Sequence, residues 1–331
     1  MLEDTRGLAQ VFIETGMVLW RKGEYAQARE PLNEGLRMAR QAGDKLSTAL
    51  ALNNLGNVVS DQGDNNAARA LYEESLALRR EMGNKPGIAA SLNNLGAVAV
   101  EQGDYAAARA LHEESLVLKR EMGDKSGIAG SLGNLGNLAL EHGDYAAARA
   151  LNEESLALSR KMGDKSSMAF WINNLGSVAY AQGDYATART RFEESLTLSA
   201  EMDERFIMAE SLLSLGRLDL AENKPDAREH ILHSLRLRQE TGEQFRETSS
   251  LIGVAGLALY EDNLQFATQL LGAVESALKA LNAVMEPEIK VFHAQTMTAV
   301  HERLGESAFQ SAWQEGLKWT LEEAVRKALG E

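Results

Sequence analysis

A forty-residue segment that recurs almost unchanged constrains this chain more than any other feature. The segment from Gly83 to Met122 is repeated from Gly123 to Met162, and 28 of the 40 paired positions are identical. Self-similarity at a fixed period indicates stacked supersecondary units, each of which buries the apolar face of its neighbours. Because such an array grows by adding units, a length of 331 residues does not by itself imply two globular domains.

Each unit is predicted to be a helical hairpin. A landmark, Gly-Asp-Tyr or a relative of it, starts at Gly23, Gly63, Gly103, Gly143 and Gly183, and Ala-x-Ala-Arg or a near version follows. Apolar residues before one landmark have helical spacing, at Leu92, Leu95, Val98 and Ala99. Gly103 is suited to end this first helix, and Asp104 to cap the second. The segment from Gly123 to Ser126 then turns the chain and caps the next helix.

The pattern resembles the tetratricopeptide repeat. Its signature is matched by Leu95-Gly96, Gly103, Tyr105 and Ala108. The forty-residue unit resembles the long-repeat subgroup of kinesin light chains and Pins-type adaptors, over about residues 5 to 282. A large aromatic residue of the family pattern is kept at Tyr72 and Phe192 but replaced at His112 and Asn152.

The resemblance implies an all-α, right-handed α-solenoid of about seven hairpins over residues 1–282, followed by a C-terminal helical cap over residues 283–331. The predicted units lie near residues 5–43, 44–82, 83–122, 123–162, 163–202, 203–241 and 242–282. In this architecture the first helix of each hairpin lines the concave surface.

The tail resembles the C-terminal end of bacterial STAND ATPase-type transcriptional regulators. Their pattern Leu-Gly-x-x-x-Phe-x-x-x-Trp-x-x-Gly, then Leu-Glu-Glu-Ala, is matched by Leu304-Gly305, Phe309, Trp313, Gly316 and Leu321 to Ala324. The resemblance implies a covalently linked upstream ATPase domain, for which this chain is the sensor arm, or a relative that acts alone.

Composition limits the partners. The net charge of −14 disfavours direct contact with nucleic acid and with an anionic membrane face. The absence of cysteine excludes disulfides and thiol chemistry and is compatible with a cytoplasmic location. The first residues are charged rather than apolar, unlike a signal peptide, and no apolar run approaches the roughly 20 residues of a membrane span.

Catalytic motifs are absent. No phosphate-binding Gly-x-x-x-x-Gly-Lys-Ser/Thr, Gly-x-Ser-x-Gly or His-Glu-x-x-His sequence occurs. His230 and His233 share a helix with Glu229 as the only further ligand nearby, so a metal site is disfavoured. We expect no enzymatic activity, no cofactor and no metal.

Asparagines recur at one place in each first helix and predict a peptide-binding surface. They are Asn53, Asn54, Asn57, Asn93, Asn94, Asn134, Asn137, Asn173 and Asn174. Asparagine is an indifferent helix former, but its amide offers both donors and an acceptor. A row of amides can therefore hold the backbone of an extended peptide, as the resemblance to the long-repeat adaptors also implies. Alternatively, the second asparagine of each pair ties neighbouring hairpins together.

Two further groups are predicted on the same face. Asp61, Glu101 and Glu141 lie near the ends of first helices, and Phe170, Trp171 and Tyr180 add aromatic surface in the fifth unit. They favour a basic segment with an apolar anchor, although solvated helix faces and packing between repeats explain each residue equally well. On the second helices, Arg69, Arg109, Arg149 and Arg189 are interpreted as i,i+4 partners of glutamates.

The leading hypothesis is a non-catalytic module that binds a protein or peptide segment in its concave groove. Two alternatives stay open at this stage. The first is a structural scaffold that self-associates through its near-identical units, and the second is a sensor for a small ligand near Trp171.

Overall fold

The structure, a computed structural model, describes residues 2–242, 244–281, 283, 285 and 287–331. Within these residues the chain forms 17 α-helices and no strand, and the first fourteen pair as consecutive hairpins. The predicted α-solenoid class of tandem helical hairpins is confirmed. The predicted junction between array and cap falls at residue 282, which lies outside the described residues, so it stays a prediction.

The chain divides into two compact units, Met1–Met162 and Gly163–Glu331, here called unit 1 and unit 2. Unit 1 holds four hairpins. Its helices are α1 (Leu2–Arg21), α2 (Tyr25–Gln41), α3 (Lys45–Asp61), α4 (Asn65–Glu81), α5 (Lys85–Glu101), α6 (Tyr105–Met122), α7 (Lys125–Glu141) and α8 (Tyr145–Met162).

Unit 2 holds three hairpins and three further helices. They are α9 (Lys165–Ala181), α10 (Tyr185–Ala200), α11 (Arg205–Glu222), α12 (Ala227–Thr241), α13 (Gln244–Tyr260), α14 (Leu264–Leu281), α15 (Pro287–Leu304), α16 (Glu306–Gly316) and α17 (Leu321–Leu329). No helix in the described parts of either unit is both long and apolar enough to cross a bilayer.

The turns have the predicted chemistry. Gly103 has a φ of +75°, in the left-handed region where a side chain would be strained. The Asp104 carboxylate then accepts a hydrogen bond from the Ala107 N–H at 3.1 Å, which caps α6. Asp124 caps α7 in the same way through the Gly127 N–H at 2.9 Å.

Within each of the first six hairpins, a glycine on the first helix faces a larger residue on the second. A Cβ added to Gly56 would lie 2.5 Å from the Tyr72 ring, and one added to Gly96 would lie 2.6 Å from the His112 ring. A buried serine makes a second tie, because the Ser115 hydroxyl donates to the Ala89 carbonyl at 2.8 Å. This bond recurs from Ser75, Ser155, Ser195 and Ser234.

The interpretation of the second-helix arginines as i,i+4 partners is wrong for Arg69 and Arg189. Arg69 reaches the next hairpin, where it donates to the Gln102 side chain at 2.5 Å. Arg189 pairs with Asp219 and, at 2.6 Å, with Glu222. The arginine side chain is long enough to bridge adjacent hairpins, so it stabilises the stack rather than a single helix.

The tail motif has a structural role in unit 2. Gly316 lies where α16 touches α14, and a Cβ added there would meet the Gln269 carbonyl oxygen at 2.0 Å. Phe309 stacks on Trp313 with 5.8 Å between ring centroids. Thr320 and Glu323 form a capping box at the start of α17. The spacing of the tail motif is therefore explained by packing against the end of the hairpin stack.

Candidate functional site

The first helices of successive hairpins meet directly and form what we call the inner wall of each unit. In unit 1 the wall includes α3, α5 and α7, and in unit 2 it includes α9, α11 and α13. All predicted site residues of the asparagine, acidic and aromatic groups lie on these helices. The second helices carry none of them.

In unit 1 the asparagines bond to each other from one hairpin to the next. The Asn94 amide donates to the Asn57 side-chain oxygen at 3.0 Å and to that of Asn53 at 3.4 Å. One hairpin on, the Asn134 amide donates to the Asn93 oxygen at 2.7 Å. These bonds are of the kind expected if the second asparagine of each pair ties hairpins together, although the acceptor is another side chain rather than a backbone carbonyl.

The ties leave part of each amide available. Asn57 uses its oxygen for the Tyr72 hydroxyl, at 2.8 Å, and for Asn94, which leaves its amide nitrogen as a donor. Asn57, Asn93, Asn94, Asn134 and Asn137 are all partly exposed, whereas Asn53 and Asn54 are buried. Only the partly exposed members are therefore able to meet a ligand without rearrangement.

Asn54 marks where the row begins. Its buried amide nitrogen has no hydrogen-bond partner within the described part of the chain. Asn94, the counterpart of Asn54 in the next hairpin, donates to Asn53 and Asn57. The residues forty positions before these two acceptors are Ile13 and Met17. Because neither side chain supplies an oxygen, the tie that exists in the next two hairpins has no counterpart here.

The acidic residues differ among themselves. Asp61 is partly buried at the end of α3, and its carboxylate accepts a hydrogen bond from the Trp20 ring nitrogen at 2.6 Å. Glu101 is partly exposed and Glu141 is exposed, at the ends of α5 and α7. Asp61 thus has a packing role with the first hairpin, and Glu141 is the most accessible of the three.

In unit 2 the inner wall is less well satisfied. Asn173 is buried, and its side-chain oxygen has no partner in the part of the chain that the structure describes. In unit 1 the equivalent acceptor, Asn93, is bonded by Asn134, which lies 41 residues later. The residue 41 positions after Asn173 is Ser214, whose side chain is shorter than that of asparagine. The Asn174 amide nitrogen and the Trp171 ring nitrogen also lack partners among the described residues.

The predicted aromatic surface is only partly accessible. Trp171 is 7% exposed and contacts Phe170 edge to face, with 4.8 Å between ring centroids. Tyr180 is partly exposed and stacks on Tyr185 with a centroid separation of 5.5 Å. Burial raises the pKa of the Tyr180 hydroxyl. Of the three predicted aromatic residues, Trp171 has the least surface to offer a ligand.

An arginine that the sequence analysis missed lies at the centre of the unit 2 wall. Arg217 occupies, in α11, the register position of Asn57 and Asn137. Its guanidinium carbon lies 5.8 Å from the centre of the Tyr180 ring and 4.9 Å from that of Phe292, which α15 supplies. No hydrogen bond or ion pair to Arg217 occurs among the described residues, and its Nε is buried without a partner.

A second charged group lies on the same helix, about two turns earlier. Glu210 pairs with Arg238, which is almost fully buried, and lies 3.7 Å from Arg246. Nearby, burial raises the pKa of Glu247 to about 7, although the charge of Arg238 opposes the shift. These residues were also missed, because the pattern of unit 2 is too diverged for the repeat register to single them out.

His230 and His233 are the histidines that the sequence analysis considers as metal ligands. The Nδ1 of His230 forms a hydrogen bond to the Asp219 carboxylate, which accepts it at 2.7 Å. Across the described residues, no group of three side chains suited to hold a metal ion occurs.

The model of the tetratricopeptide repeat family matches residues 7–81, 87–161 and 167–240, which together make up more than half of the chain. The chain is a tetratricopeptide repeat protein. No curated protein matches it in sequence. The family match covers the first six hairpins and leaves α13, α14 and the tail outside it.

Solved structures similar to this tetratricopeptide protein include a Rap protein complexed with competence and sporulation factor. That chain is 13% identical, with a TM-score of 0.66 and coverage of 98% of this chain and 99% of that one. NprR in complex with its cognate peptide NprX is 14% identical, with a TM-score of 0.57 and coverage of 88% and 87%. A putative kinesin light chain from Podosopora anserina, with nearly identical TPR-like repeats, is 17% identical, with a TM-score of 0.51 and coverage of 60% and 98%. At these identities the likeness shows the fold alone.

Proposed function

We propose that this tetratricopeptide repeat protein is a non-catalytic interaction module that binds an extended peptide or protein segment along its inner wall. The main support for the proposal is a set of partly exposed asparagines in unit 1, here called the asparagine row: Asn57, Asn93, Asn94, Asn134 and Asn137. Bonds between hairpins hold the amides at one place per repeat, and each amide keeps donor or acceptor capacity. An extended peptide presents backbone N–H and C=O groups at regular intervals, which such a row can bind.

The similar structures are consistent with this choice of ligand. The Rap protein is complexed with competence and sporulation factor and NprR with its cognate peptide, and both share the fold of this chain over most of its length. The exposed Glu141 carboxylate favours a segment with a basic residue, and the partly exposed Tyr180 ring favours an apolar anchor.

The finer proposal is that the module acts in the cytoplasm as the sensor arm of a larger bacterial signalling regulator. Its support is the resemblance of the tail to STAND-type regulators, in which an ATPase precedes the repeats. A reading frame that encodes a phosphate-binding loop upstream of Met1 would support this arrangement, and a stop codon directly upstream would refute it.

A double variant, Asn57→Ala with Asn137→Ala, tests the row. Asn57 and Asn137 share one register position, which Ala97 occupies in the hairpin between them. Alanine is therefore compatible with the first helix at this position. Retention of a pool of random decapeptides on the immobilised protein would be measured by mass spectrometry. Because each lost hydrogen bond costs about 1 kcal/mol, we expect about tenfold weaker binding or more.

The matched control is Asn33→Ala, which removes an exposed asparagine from the second helix of the first hairpin. It should leave peptide retention unchanged. If the double variant binds as tightly as the wild type, while circular dichroism reports the same helix content, the asparagine row is not a binding surface.

Self-association is a second candidate, favoured by one observation. Leu8, Val11 and Val18 form an exposed apolar stripe on α1, and each is about half exposed. A helix with such a stripe buries it against another surface in many assemblies. Light scattering would decide: a molar mass that rises with concentration, and no longer rises after Val11→Glu, supports self-association. A constant monomer mass refutes it.

The small-ligand alternative has less support. Surface depressions lie around Glu30 and Arg37 on α2 and around Thr187 and Arg191 on α10, and Trp171 lines neither of them. Trp171 is also nearly covered.

A further inference from the structure

We propose that α15 closes the peptide groove of unit 2 and that the Phe292 ring is the stop at which a bound segment ends or turns away from the wall. This inference rests on the proposed peptide-binding function. It adds to that function a residue that fixes one end of the ligand, and it limits the ligand-accessible wall of unit 2 to α9 and α11.

The first step aligns the last two first helices of the wall. Ser211 of α11 and Ser250 of α13 are both buried, and each bonds to a serine of the preceding second helix, at 2.8 Å and 2.9 Å. The two helices therefore follow each other at a spacing of 39 residues. With this spacing Gly256 of α13 corresponds to Arg217 of α11, which shares its register position with Asn57.

The second step compares the groove face of the three first helices. The positions of this face are Phe170, Asn174 and Ser177 in α9, Glu210, Ser214 and Arg217 in α11, and Ser249, Gly253 and Gly256 in α13. All those of α9 and α11 are partly exposed, whereas all those of α13 are buried. In α13 every residue from Glu247 to Ala258 is buried, as in a helix enclosed on all sides. The groove that is open along α9 and α11 is thus closed at α13.

The third step identifies what closes the groove next to α11. A Cβ added to Gly256 would lie 2.4 Å from the Cζ of the Phe292 ring, so this ring lies directly on the backbone of α13. The centre of the same ring lies 4.9 Å from the guanidinium carbon of Arg217. Phe292 therefore covers equivalent positions of two neighbouring first helices, and a peptide backbone cannot occupy the same place.

The fourth step shows that the closure is a fixed stop rather than a movable lid. α15 packs on α13 and α14, and its residues Ile289, Thr296 and Val300 are each at most 3% exposed. Release of α15 would expose this apolar surface, which is unfavourable. The guanidinium of Arg217 also holds the ring in place, because it is attracted to both Phe292 and Tyr180.

The stop has a definite size in residues of ligand. Neighbouring helices pack about 8–10 Å apart, and an extended peptide rises about 3.3 Å per residue. One first helix of the wall therefore corresponds to about three residues of ligand. Closure of α13 shortens the bound segment by this amount at one end.

Photo-crosslinking would locate the stop. A pool of random decapeptides, each with benzoylphenylalanine at one varied position, is applied to the wild type, to Phe292→Ala and to the control Val291→Ala. Val291 is the preceding residue of α15 and is 65% exposed. Mass spectrometry then assigns the crosslinked residues. An extended decapeptide spans about 33 Å, which is enough to cross all three first helices of unit 2.

The wild type and Val291→Ala should yield crosslinks on α9, α11 and α15 but none at Gly256. Phe292→Ala should add crosslinks at Gly256 and its neighbours, because the vacated space lets the segment advance by about three residues. Phe292→Leu keeps an apolar side chain against the core and should give a yield at Gly256 between those of the other two proteins. Unchanged helix content by circular dichroism would show that α15 has not unfolded.

Two kinds of result would overturn the inference. Crosslinks at Gly256 in the wild type, or no gain there in Phe292→Ala and Phe292→Leu, refute the stop and leave the proposed function standing. Crosslinks that fall only outside the inner wall in all of these proteins refute both the proposed function and the stop.

Discussion

The two units differ in how the polar side chains of their inner walls are hydrogen-bonded. In unit 1 the second, third and fourth hairpins are closely similar, so a polar contact made between two hairpins recurs between the next two. Asn134 donates to Asn93 as Asn94 donates to Asn53 and Asn57. In unit 2 the hairpins have diverged, and the position of Asn57 is occupied by Arg217.

The difference extends to the ion pairs. Unit 1 repeats one exposed pair between hairpins, at Arg40–Glu74, Arg80–Glu114 and Arg120–Glu154. Unit 2 keeps an exposed pair between hairpins, Arg228–Glu261, and adds a buried group in which Asp219, with no exposed surface, contacts both Arg189 and His230. Divergence has thus added a buried ion-pair group to the exposed pairs that both units contain.

This contrast is informative about function. A network whose members satisfy each other needs no ligand to be stable, whereas a wall with unpartnered groups gains from one. We therefore expect the amides of unit 1 to contribute general affinity for a peptide backbone, and the diverged residues of unit 2 to determine which peptide is bound.

Breaking the buried group of unit 2 should have the largest effect on stability. Arg189→Met leaves Asp219 buried with the His230 ring as its remaining hydrogen-bond partner, and the removal of one member of a buried pair typically costs about 3–5 kcal/mol. Native-state hydrogen exchange of α10 to α12 amides would measure this loss. Arg80→Met, the matched change in the exposed pairs of unit 1, should cost less than about 1 kcal/mol. Equal losses in the two variants would contradict the contrast between the units.

Acidification should destabilise unit 1 by a smaller amount. His112 is 1% exposed, and its burial, with a smaller contribution from Lys119, lowers its pKa from 6.5 to about 4. Below pH 6.5 the unfolded chain therefore binds a proton that the folded unit excludes. The unfolding free energy should fall by about 3 kcal/mol between pH 7 and pH 4.

The control for this prediction is present in the next hairpin. His112→Asn introduces the residue found at the same register position, Asn152, which also packs against a glycine. Comparison of urea unfolding of the two proteins at pH 7 and pH 4 isolates the histidine. If their stabilities fall in parallel, His112 is not the group responsible.

The fold was predictable from sequence because the same residues that start, end and pack the helices recur in successive repeats. The four hairpins from α3 to α10 each contain the Gly-Asp turn, the capping aspartate and the glycine that faces a larger residue, so their helix pairs follow from Gly103, Asp104 and their copies. The tail motif was recognised in the sequence, but its packing role became clear only where Gly316 meets the backbone of Gln269.

The candidate site was less predictable, for two physical reasons. Repetition reveals which positions recur but not whether two recurring side chains bond to each other, so the ties among Asn53, Asn57 and Asn94 were one of two open interpretations. A unique residue such as Arg217 carries no periodic signal. Its register position, shared with Asn57 and Asn137, was the one feature of the sequence that could have drawn attention to it.

Acidification should have the opposite and smallest effect on unit 2. Burial raises the pKa of Glu247, which is 6% exposed, from 4.5 to about 7, so the folded unit holds a proton that the unfolded chain releases above pH 4.5. This contribution is complete below pH 4.5 and is lost as the pH rises through 7. Between pH 7.5 and pH 5.5 the unfolding free energy of unit 2 should therefore increase by about 2 kcal/mol.

Glu247→Gln is the matched variant, because an amide of the same shape has no proton to bind in this range. Hydrogen exchange of α13 amides, corrected for intrinsic rates at each pH, should reveal the increase in the wild type and none in the variant. A unit 2 that loses stability on acidification in parallel with unit 1 would contradict the prediction. It would also imply that Arg238 keeps Glu247 ionised.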